Sequence, residues 1–177
     1  IYITDVEAWL NISFGNIEAR PTYYGNLHIL DDDGDELAAL EIPDGLTSIG
    51  EYAFRGCSSF TSLTIPDSIT SIGDYAFDGC ANIQNATIPT IAISSISKNN
   101  LKTVVITSGE EIQSSAFYGA SKLTSVKLPY ELCYIGKEAF KNCKSLSSVV
   151  FGNTSKKWQI NNTSNVIQVT DSAKMAM

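Results

Sequence analysis

The chain of 177 residues is long enough for one domain with a substantial core, because 44% of its residues are hydrophobic and only 18% are charged. Its formal net charge of −7 opposes nonspecific binding to nucleic acid or anionic lipid, since both attract basic surfaces. No apolar run approaches the roughly 18 residues of a membrane-spanning helix, and no signal peptide is recognisable, so we expect no membrane insertion in this segment.

Residues 1–36 are predicted to form an N-terminal cap made of a short helix and a hairpin. Thr4 and Glu7 have the spacing of a capping box, which predicts a helix over residues 5–12. Two apolar segments then flank the acidic run DDDGDE, which predicts a hairpin closed by the pair Asp33–Gly34. The exposed end of a repeat array requires a polar cover of this kind.

The acidic run could also be a calcium loop, because Asp31, Asp33 and Asp35 alternate along it. An EF-hand loop would require glycine at the position of Glu36 and glutamate at the position of Ile42. Both requirements fail, so turn formation is favoured and no metal or other cofactor is expected.

A phrase of 23 residues recurs along the chain. The pair Ile-Pro occurs at 42–43, 65–66 and 88–89, and the same step relates Cys57 to Cys80. Between Ile88 and Ile106 the step falls to 18 residues, so we expect one repeat to be shortened at residues 89–105. Repeats of 20 to 29 residues cannot bury their own apolar face, and stacking them into a solenoid supplies the core.

Each repeat contains an apolar residue, any residue and a second apolar residue, as at Leu40 and Ile42. This period of two predicts a short strand per repeat, and the strands are predicted to stack in parallel as one ladder. The outer segments, such as GEYAFRG, are predicted to be single helical turns that begin and end at glycine. A positive φ is expected where the turns end, at Gly56, Gly79 and Gly119 and at Asn142.

The first glycine of that segment, at positions 50, 73 and 136, is expected to be less constrained, because Gln113 replaces it in one repeat.

Three cysteines occupy the same position of successive complete repeats: Cys57, Cys80 and Cys143. We expect them to be buried thiols that pack as small hydrophobic side chains. A Cys57–Cys80 disulfide is the alternative, but parallel side chains that point into a core have unsuitable vectors for it. Cys133 is expected to be more exposed.

The phrases IPDGLTSIGEYAFRGCSSFTSLTIP and IPDSITSIGDYAFDGCANIQNATIP resemble the BspA-like leucine-rich repeat of bacterial and some protist cell surfaces. The resemblance spans about residues 37–151. It implies an α/β leucine-rich-repeat solenoid, mostly β, with one parallel ladder and short helical or 3-10 turns on the outer side. About five coils are expected there, followed by a C-terminal flank at residues 152–177. The resemblance also implies attachment to host proteins or other cells, and no chemistry.

Candidate binding residues follow from the predicted ladder, whose outward face should be the contact surface. They are Glu41, Ser62, Thr64, Asn85, Thr87, Val105 and Lys127. The competing interpretation is a solvated sheet surface that merely avoids aggregation. Tyr52, Tyr75 and Tyr118, on the outer turns, are a second set of candidate contacts.

No catalytic motif is recognisable. The chain has no phosphate-binding glycine-rich loop and no G-x-S-x-G elbow, and His28 has no nucleophile beside it in any known pattern. We therefore expect a non-enzymatic protein that is extracellular or at the cell surface and binds a protein, such as a host matrix protein or another surface protein. The alternatives are a carbohydrate-binding module and a structural spacer, although carbohydrate binding would require aromatic rings along the ladder.

Charge is distributed unevenly along the chain. Residues 1–60 carry eleven acidic and two arginine side chains, whereas residues 122–177 carry eight lysines and three acidic side chains. A solenoid converts sequence order into spatial order, so weak head-to-tail self-association is a hypothesis, and ordinary solvated charge is its alternative.

Overall fold

The computed structural model describes residues 1–12, 14, 16–152, 157–161 and 166–170. Within them no helix has the length and apolar character needed to cross a membrane. The helices are α1 (Val6–Leu10) and α2 (Pro21–Tyr24), with 3-10 helices at Ile17–Ala19 and Thr90–Ser95. The strands are β1 (Tyr2–Ile3), β2 (His28–Ile29), β3 (Ala39–Glu41), β4 (Ser48–Ile49), β5 (Ser62–Thr64), β6 (Ser71–Ile72), β7 (Asn85–Ile88), β8 (Thr103–Ile106), β9 (Glu111–Ile112), β10 (Ser125–Leu128), β11 (Tyr134–Ile135), β12 (Ser148–Phe151), β13 (Lys157–Asn161) and β14 (Val166–Thr170).

Six parallel strands form the main sheet, in the order β12-β10-β8-β7-β5-β3. The register pairs equivalent residues of successive repeats, such as Leu40 with Leu63 and Leu63 with Ala86. The register is unchanged across the shortened repeat, where Ile88 pairs with Ile106. The predicted ladder and the solenoid fold are therefore confirmed.

A second, interrupted ladder lines the opposite wall of the core. β4 pairs with β6 through Ile49 and Ile72, and β9 pairs with β11 through Ile112 and Ile135. The shortened repeat lies between these two pairs and has the 3-10 helix Thr90–Ser95 instead of a strand. The sequence predicted the apolar wall but not its strands, because two residues per repeat are too few to show a period.

The outer segments form the predicted short turns with 3-10-type bonds: Ala53 N donates to Gly50 O at 3.3 Å, and Cys57 N donates to Phe54 O at 3.2 Å. The alternate amide groups bond between repeats: Tyr52 N donates to Asp74 O at 3.0 Å, and Phe54 N donates to Ala76 O at 2.8 Å. Positive φ values interrupt any helix at one residue per repeat, including Tyr52 (55°) and Tyr75 (56°), and at Ser115 and Glu138. The predicted positive φ at the ends of the segments is confirmed at Gly56, Gly79, Gly119 and Asn142.

Glycine at the start of the outer segment is more constrained than the sequence indicated. A Cβ atom on Gly73 would lie 2.4 Å from the backbone nitrogen of Glu51 in the preceding repeat. On Gly136 it would lie 2.3 Å from the backbone nitrogen of Ser114. Gln113 is tolerated at the equivalent position because the repeat before it is the shortened one, which has no matching outer segment.

Phenylalanine rings and thiols fill the core between the two walls. Phe54 and Phe77 stack with ring centroids 5.4 Å apart, and the pair Phe117–Phe140 repeats this arrangement at 5.2 Å. Within the described part of the chain, 35 buried hydrophobic residues form one cluster that extends from the cap into the last repeat. The core is therefore continuous across the shortened repeat.

Cys57 and Cys80 are free thiols, so no Cys57–Cys80 disulfide forms. Cys57 and Cys80 are buried, and each donates its thiol hydrogen to a carbonyl of the preceding coil, Leu27 O and Phe54 O. Hydrogen bonding with Cys80 and burial both raise the pKa of Cys57. Cys143 is only half-buried, contrary to prediction, because it lies in the last repeat of the described stack. Burial raises its pKa as well.

Cys133 is exposed, as expected.

Helix α1 begins one residue later than predicted. Asp5 rather than Thr4 is the N-cap, because its carboxylate accepts the amide hydrogen of Ala8 at 2.8 Å. The helix ends at Leu10, two residues before the predicted end. Its Trp9 is buried and donates from Nε1 to Ala53 O at 3.0 Å, which fastens the cap to the first repeat.

The acidic run forms the predicted turn and closes a short hairpin, in which Asp31 N donates to Asp35 O at 2.9 Å and Leu37 N donates to Ile29 O at 2.8 Å. The Asp31 carboxylate accepts hydrogen bonds from the amides of Asp33 and Asp35, at 3.0 and 2.9 Å. β2 pairs with β1 in parallel, and a single antiparallel bridge joins Leu30 to Glu36. The chain then enters β3, which belongs to the main sheet. β13 and β14 form an antiparallel pair, and the rest of the predicted flank beyond Gly152 lies outside the described residues.

Candidate functional site

The open face of the main sheet brings all seven predicted ladder residues together. They lie in two parallel columns, because alternate residues of each strand point away from the core. One column contains Glu41, Thr64, Thr87, Val105, Lys127 and Val150, and the other contains Ala39, Ser62, Asn85, Thr103, Ser125 and Ser148. Every member is exposed or partly exposed.

The two columns are chemically graded from one end to the other. Glu41 lies at the cap end and Lys127 near the opposite end, with hydroxyl and amide side chains between them. The hydroxyl of Thr103 and the side-chain oxygen of Asn85 lie 2.6 Å apart, which orders two neighbouring strands of the face. The side chains of the face are short, so a partner can contact it without displacing large groups.

A groove of about 700 Å³ lies where β3, β5 and β7 end. Its acidic lining residues are Glu41, Asp44 and Asp67, and its hydroxyl-bearing residues are Thr64, Ser68, Thr87 and Thr107. This groove was not predicted from the sequence. The recurring phrase Ile-Pro-Asp was the available signal, because it places a carboxylate at the end of each of two adjacent strands.

Asp67 builds one side of the groove by reaching across the shortened repeat. Its Oδ1 accepts hydrogen bonds from the hydroxyls of Thr107 and Ser108, both at 2.6 Å. Charge-assisted bonds of this kind are stronger than bonds between neutral groups. The neighbouring Ser68 hydroxyl is buried and has no hydrogen-bond partner among the described residues.

The predicted tyrosine set divides into a pair and a separate ring. Tyr52 and Tyr75 stack at 5.0 Å, and Tyr23 packs edge-on against Tyr52 at 5.9 Å. Arg55 lies 5.6 Å from the Tyr52 centroid, and partial burial together with Tyr75 raises the pKa of Tyr52. Tyr75 is 60% exposed and is the accessible end of this stack.

Tyr118 does not continue the stack, because the shortened repeat intervenes. It is 50% exposed, Lys141 lies 5.9 Å above its ring, and the Asn142 amide donates to its hydroxyl at 3.2 Å. It therefore forms its own small polar cluster on the last repeats. Lys141 also pairs with Glu138 at 2.9 Å, which raises the pKa of the lysine and lowers that of the glutamate.

Two titratable side chains outside the sheet face, His28 and Lys98, have structural partners. His28 Nδ1 lies 2.5 Å from Glu36 Oε1, and its ring stacks on Tyr2 at 5.0 Å. Lys98 donates to Ile93 O beside the 3-10 helix, and burial lowers its pKa. No group of three or more metal-ligating side chains is found in the part of the chain that the structure describes.

Comparison with one solved structure, a bacterial leucine-rich cell surface protein, supports the same architecture. The chain is 25% identical to a leucine-rich cell surface protein from Faecalibacterium prausnitzii, with a TM-score of 0.51 over 72% of this chain and 38% of that one. It is 27% identical to a leucine-rich repeat protein of T. pallidum, with a TM-score of 0.44 over 69% of this chain and 66% of that one. This chain therefore spans well under half of the first relative and about two thirds of the second. A search of the curated proteins finds no match.

The family description "BspA type leucine rich repeat region" matches residues 33–103 and 97–171, in six copies. The match covers more than half of the chain and includes every strand of the main sheet. Sequence periodicity, the parallel ladder and this match agree, and the chain belongs to the BspA-type leucine-rich repeat family.

Proposed function

We propose that this chain is a non-enzymatic binding module of a larger extracellular or cell-surface protein and that it binds a protein partner. The family is one of repeat proteins, and its leucine-rich repeats indicate a protein-interaction or surface repeat module. The observation that carries the proposal is the open sheet face, a regular array of short side chains beside a groove of about 700 Å³. Repeat solenoids use extended surfaces of this kind for binding.

The size of the face sets the expected strength of binding. Six strands spaced by about 4.8 Å, each about 10 Å long, give on the order of 300 Å². A stable protein interface buries about 800 Å² per partner. The face alone therefore supports weak binding. Tight attachment requires the groove, further repeats of a longer parent protein, or many copies on one surface.

The composition of the face favours a protein partner over a carbohydrate. Sugars are commonly held against aromatic rings, and neither column of the face contains one. The exposed tyrosines lie elsewhere, on the outer turns and corners. The mixture of one carboxylate, one ammonium group and several hydroxyls matches the polar surface of a folded protein.

The test begins with a screen of the immobilised chain against purified extracellular-matrix proteins and a glycan array. For any protein that binds, Thr87→Arg and Val105→Arg place bulk and charge at the centre of the face. Ser71→Arg, on the second ladder, is the matched control. We expect about tenfold weaker binding for the face variants and no change for the control. Equal binding by all three variants, or binding to glycans alone, would contradict the proposal.

A further inference from the structure

The strand at the cap end of the main sheet, β3, has an open backbone edge. It is the last strand in the sheet order, with β5 on one side only. Ala38 O accepts from Thr61 N at 2.8 Å and Ile42 N donates to Thr64 O at 2.9 Å, so residues 38, 40 and 42 face β5. Alternation along the strand then directs the N–H and C=O groups of Ala39 and Glu41 to the opposite edge.

The N-terminal cap does not cover this edge. β2 pairs with β1 rather than with β3, and the connection into β3 is held by Leu37 N, which donates to Ile29 O at 2.8 Å. Among the described residues, no hydrogen bond joins the backbone of Ala39 or Glu41 to the cap. Both residues are exposed, as is Ala38. An exposed edge with unpaired backbone groups is a template for another strand.

The carboxylates around the edge favour a partner strand with basic side chains. Glu41 and Asp44 make no ion pair within the described residues. Residues 1–60 contain only two arginines, and both are already engaged: Arg55 pairs with Asp78 at 3.4 Å, and Arg20 lies 5.0 Å from the ring centroid of Phe14. Among the described residues, the carboxylates of Glu41 and Asp44 are therefore left without a paired cation, and a basic segment would be attracted to them.

We propose that the open edge of β3 binds an extended peptide segment of a partner protein, with lysine or arginine at alternate positions, by strand addition. The backbone of the segment pairs with Ala39 and Glu41. Its alternate side chains lie on the open face, where a cation meets Glu41, and at the strand end a second cation reaches Asp44 in the groove. Glu41 belongs to the sheet face and Asp44 to the groove, so the segment contacts both, but backbone pairing at the edge of β3 is a separate mode of binding that does not depend on the function proposed for the face.

The test measures anisotropy of a labelled eight-residue peptide in which lysine alternates with threonine, with a glutamate-threonine peptide as its charge control. Glu41→Lys reverses the charge at the edge, and Glu111→Lys reverses an exposed charge on the second ladder as the matched control. Ala39→Pro removes an edge N–H that forms no ladder bond. We expect about tenfold weaker binding for the first and third variants and unchanged binding for Glu111→Lys.

Two measurements separate strand addition from simple charge attraction and do not rely on the fold of Ala39→Pro. A lysine-threonine peptide with N-methyl groups along one edge should lose binding, since it keeps its charge but not its donors. Amide exchange at Ala39 and Glu41 should slow when the unmodified peptide is added. Full binding by the N-methylated peptide, or unchanged exchange, would overturn the proposal. So would a dimer of the chain that excludes the peptide, because the edge would then be occupied by a second copy.

Discussion

Truncation of Phe77 to alanine is the most direct test of the stacked core. The side chain is 2% exposed and stacks on Phe54 at 5.4 Å with an interplanar angle of 16°. A buried Phe→Ala change costs about 3–5 kcal/mol, and the loss of an aromatic pair contributes about 0.5–1.5 kcal/mol of such a cost. Hydrogen bonds between coils, such as Phe54 N to Ala76 O at 2.8 Å, hold their spacing and prevent collapse onto the void. We therefore expect the upper half of that range.

The assay is thermal unfolding followed by circular dichroism. For a chain of this size each kcal/mol lowers the midpoint by about 2–4 °C, so Phe77→Ala should melt roughly 8–20 °C below the wild type. Phe77→Leu keeps most of the volume and should cost only about 1.5 kcal/mol. Tyr118→Ala removes an exposed ring and is the matched control, with an expected cost below about 1 kcal/mol. A Phe77→Ala midpoint within about 2 °C of the wild type would refute the stacked-core reasoning.

Three further predictions concern backbone contact, thiols and pH. Gly73→Ala should lower the unfolding midpoint by at least several degrees, whereas Gly25→Ala should not, because a Cβ atom would lie 2.4 Å from a backbone nitrogen at Gly73 and would meet nothing within 4 Å at Gly25. A thiol reagent should label Cys133 in the native protein and Cys80 only after denaturation, and rapid labelling of native Cys80 would show that this row faces outward. Burial lowers the pKa of Lys98 below its ordinary 10.5, so the unfolded state binds this proton more readily and wild-type stability should rise with pH toward 10.5. Lys98→Met should lack this rise, and parallel pH dependence of the two midpoints would contradict the assignment.

The main sheet was predictable because its signal is repeated six times. An apolar residue at every second position is ambiguous when it occurs in a single short segment. The same apolar pair recurs in each repeat, and this recurrence predicts the strand, its register and its inward face together. Positive φ at Gly56 and its equivalents was predictable because glycine and asparagine occupy nearly all such positions. At Tyr52 it was not, because tyrosine gives no indication of a left-handed backbone.

The errors lie where a contact between distant residues overrides a local rule. Thr4 satisfies the capping-box pattern, yet the Asp5 carboxylate is the acceptor for Ala8 N. The turn at Asp33–Gly34 closes a short hairpin as predicted, but the parallel pairing of β2 with β1 was not predicted, because β1 lies at the N-terminus on the far side of α1 and α2 in the chain. Both errors concern the cap. Its sequence occurs only once, so its pattern cannot be checked against an equivalent segment.

The shortened repeat accounts for two surface features that the periodicity of the sequence did not predict: the interruption of the second ladder and of the tyrosine row, and the groove. With 18 residues instead of 23, it keeps its strand but loses the outer segment, so the second ladder and the tyrosine row both stop there. The same shortening lets Asp67 reach the hydroxyls of Thr107 and Ser108 across the missing length. The missing outer segment is thus accompanied by contacts that form one side of the groove at the end of the main sheet. Because the bonds of Asp67 to Thr107 and Ser108 depend on the irregular repeat, this repeat helps to build the acidic groove next to the open edge of β3.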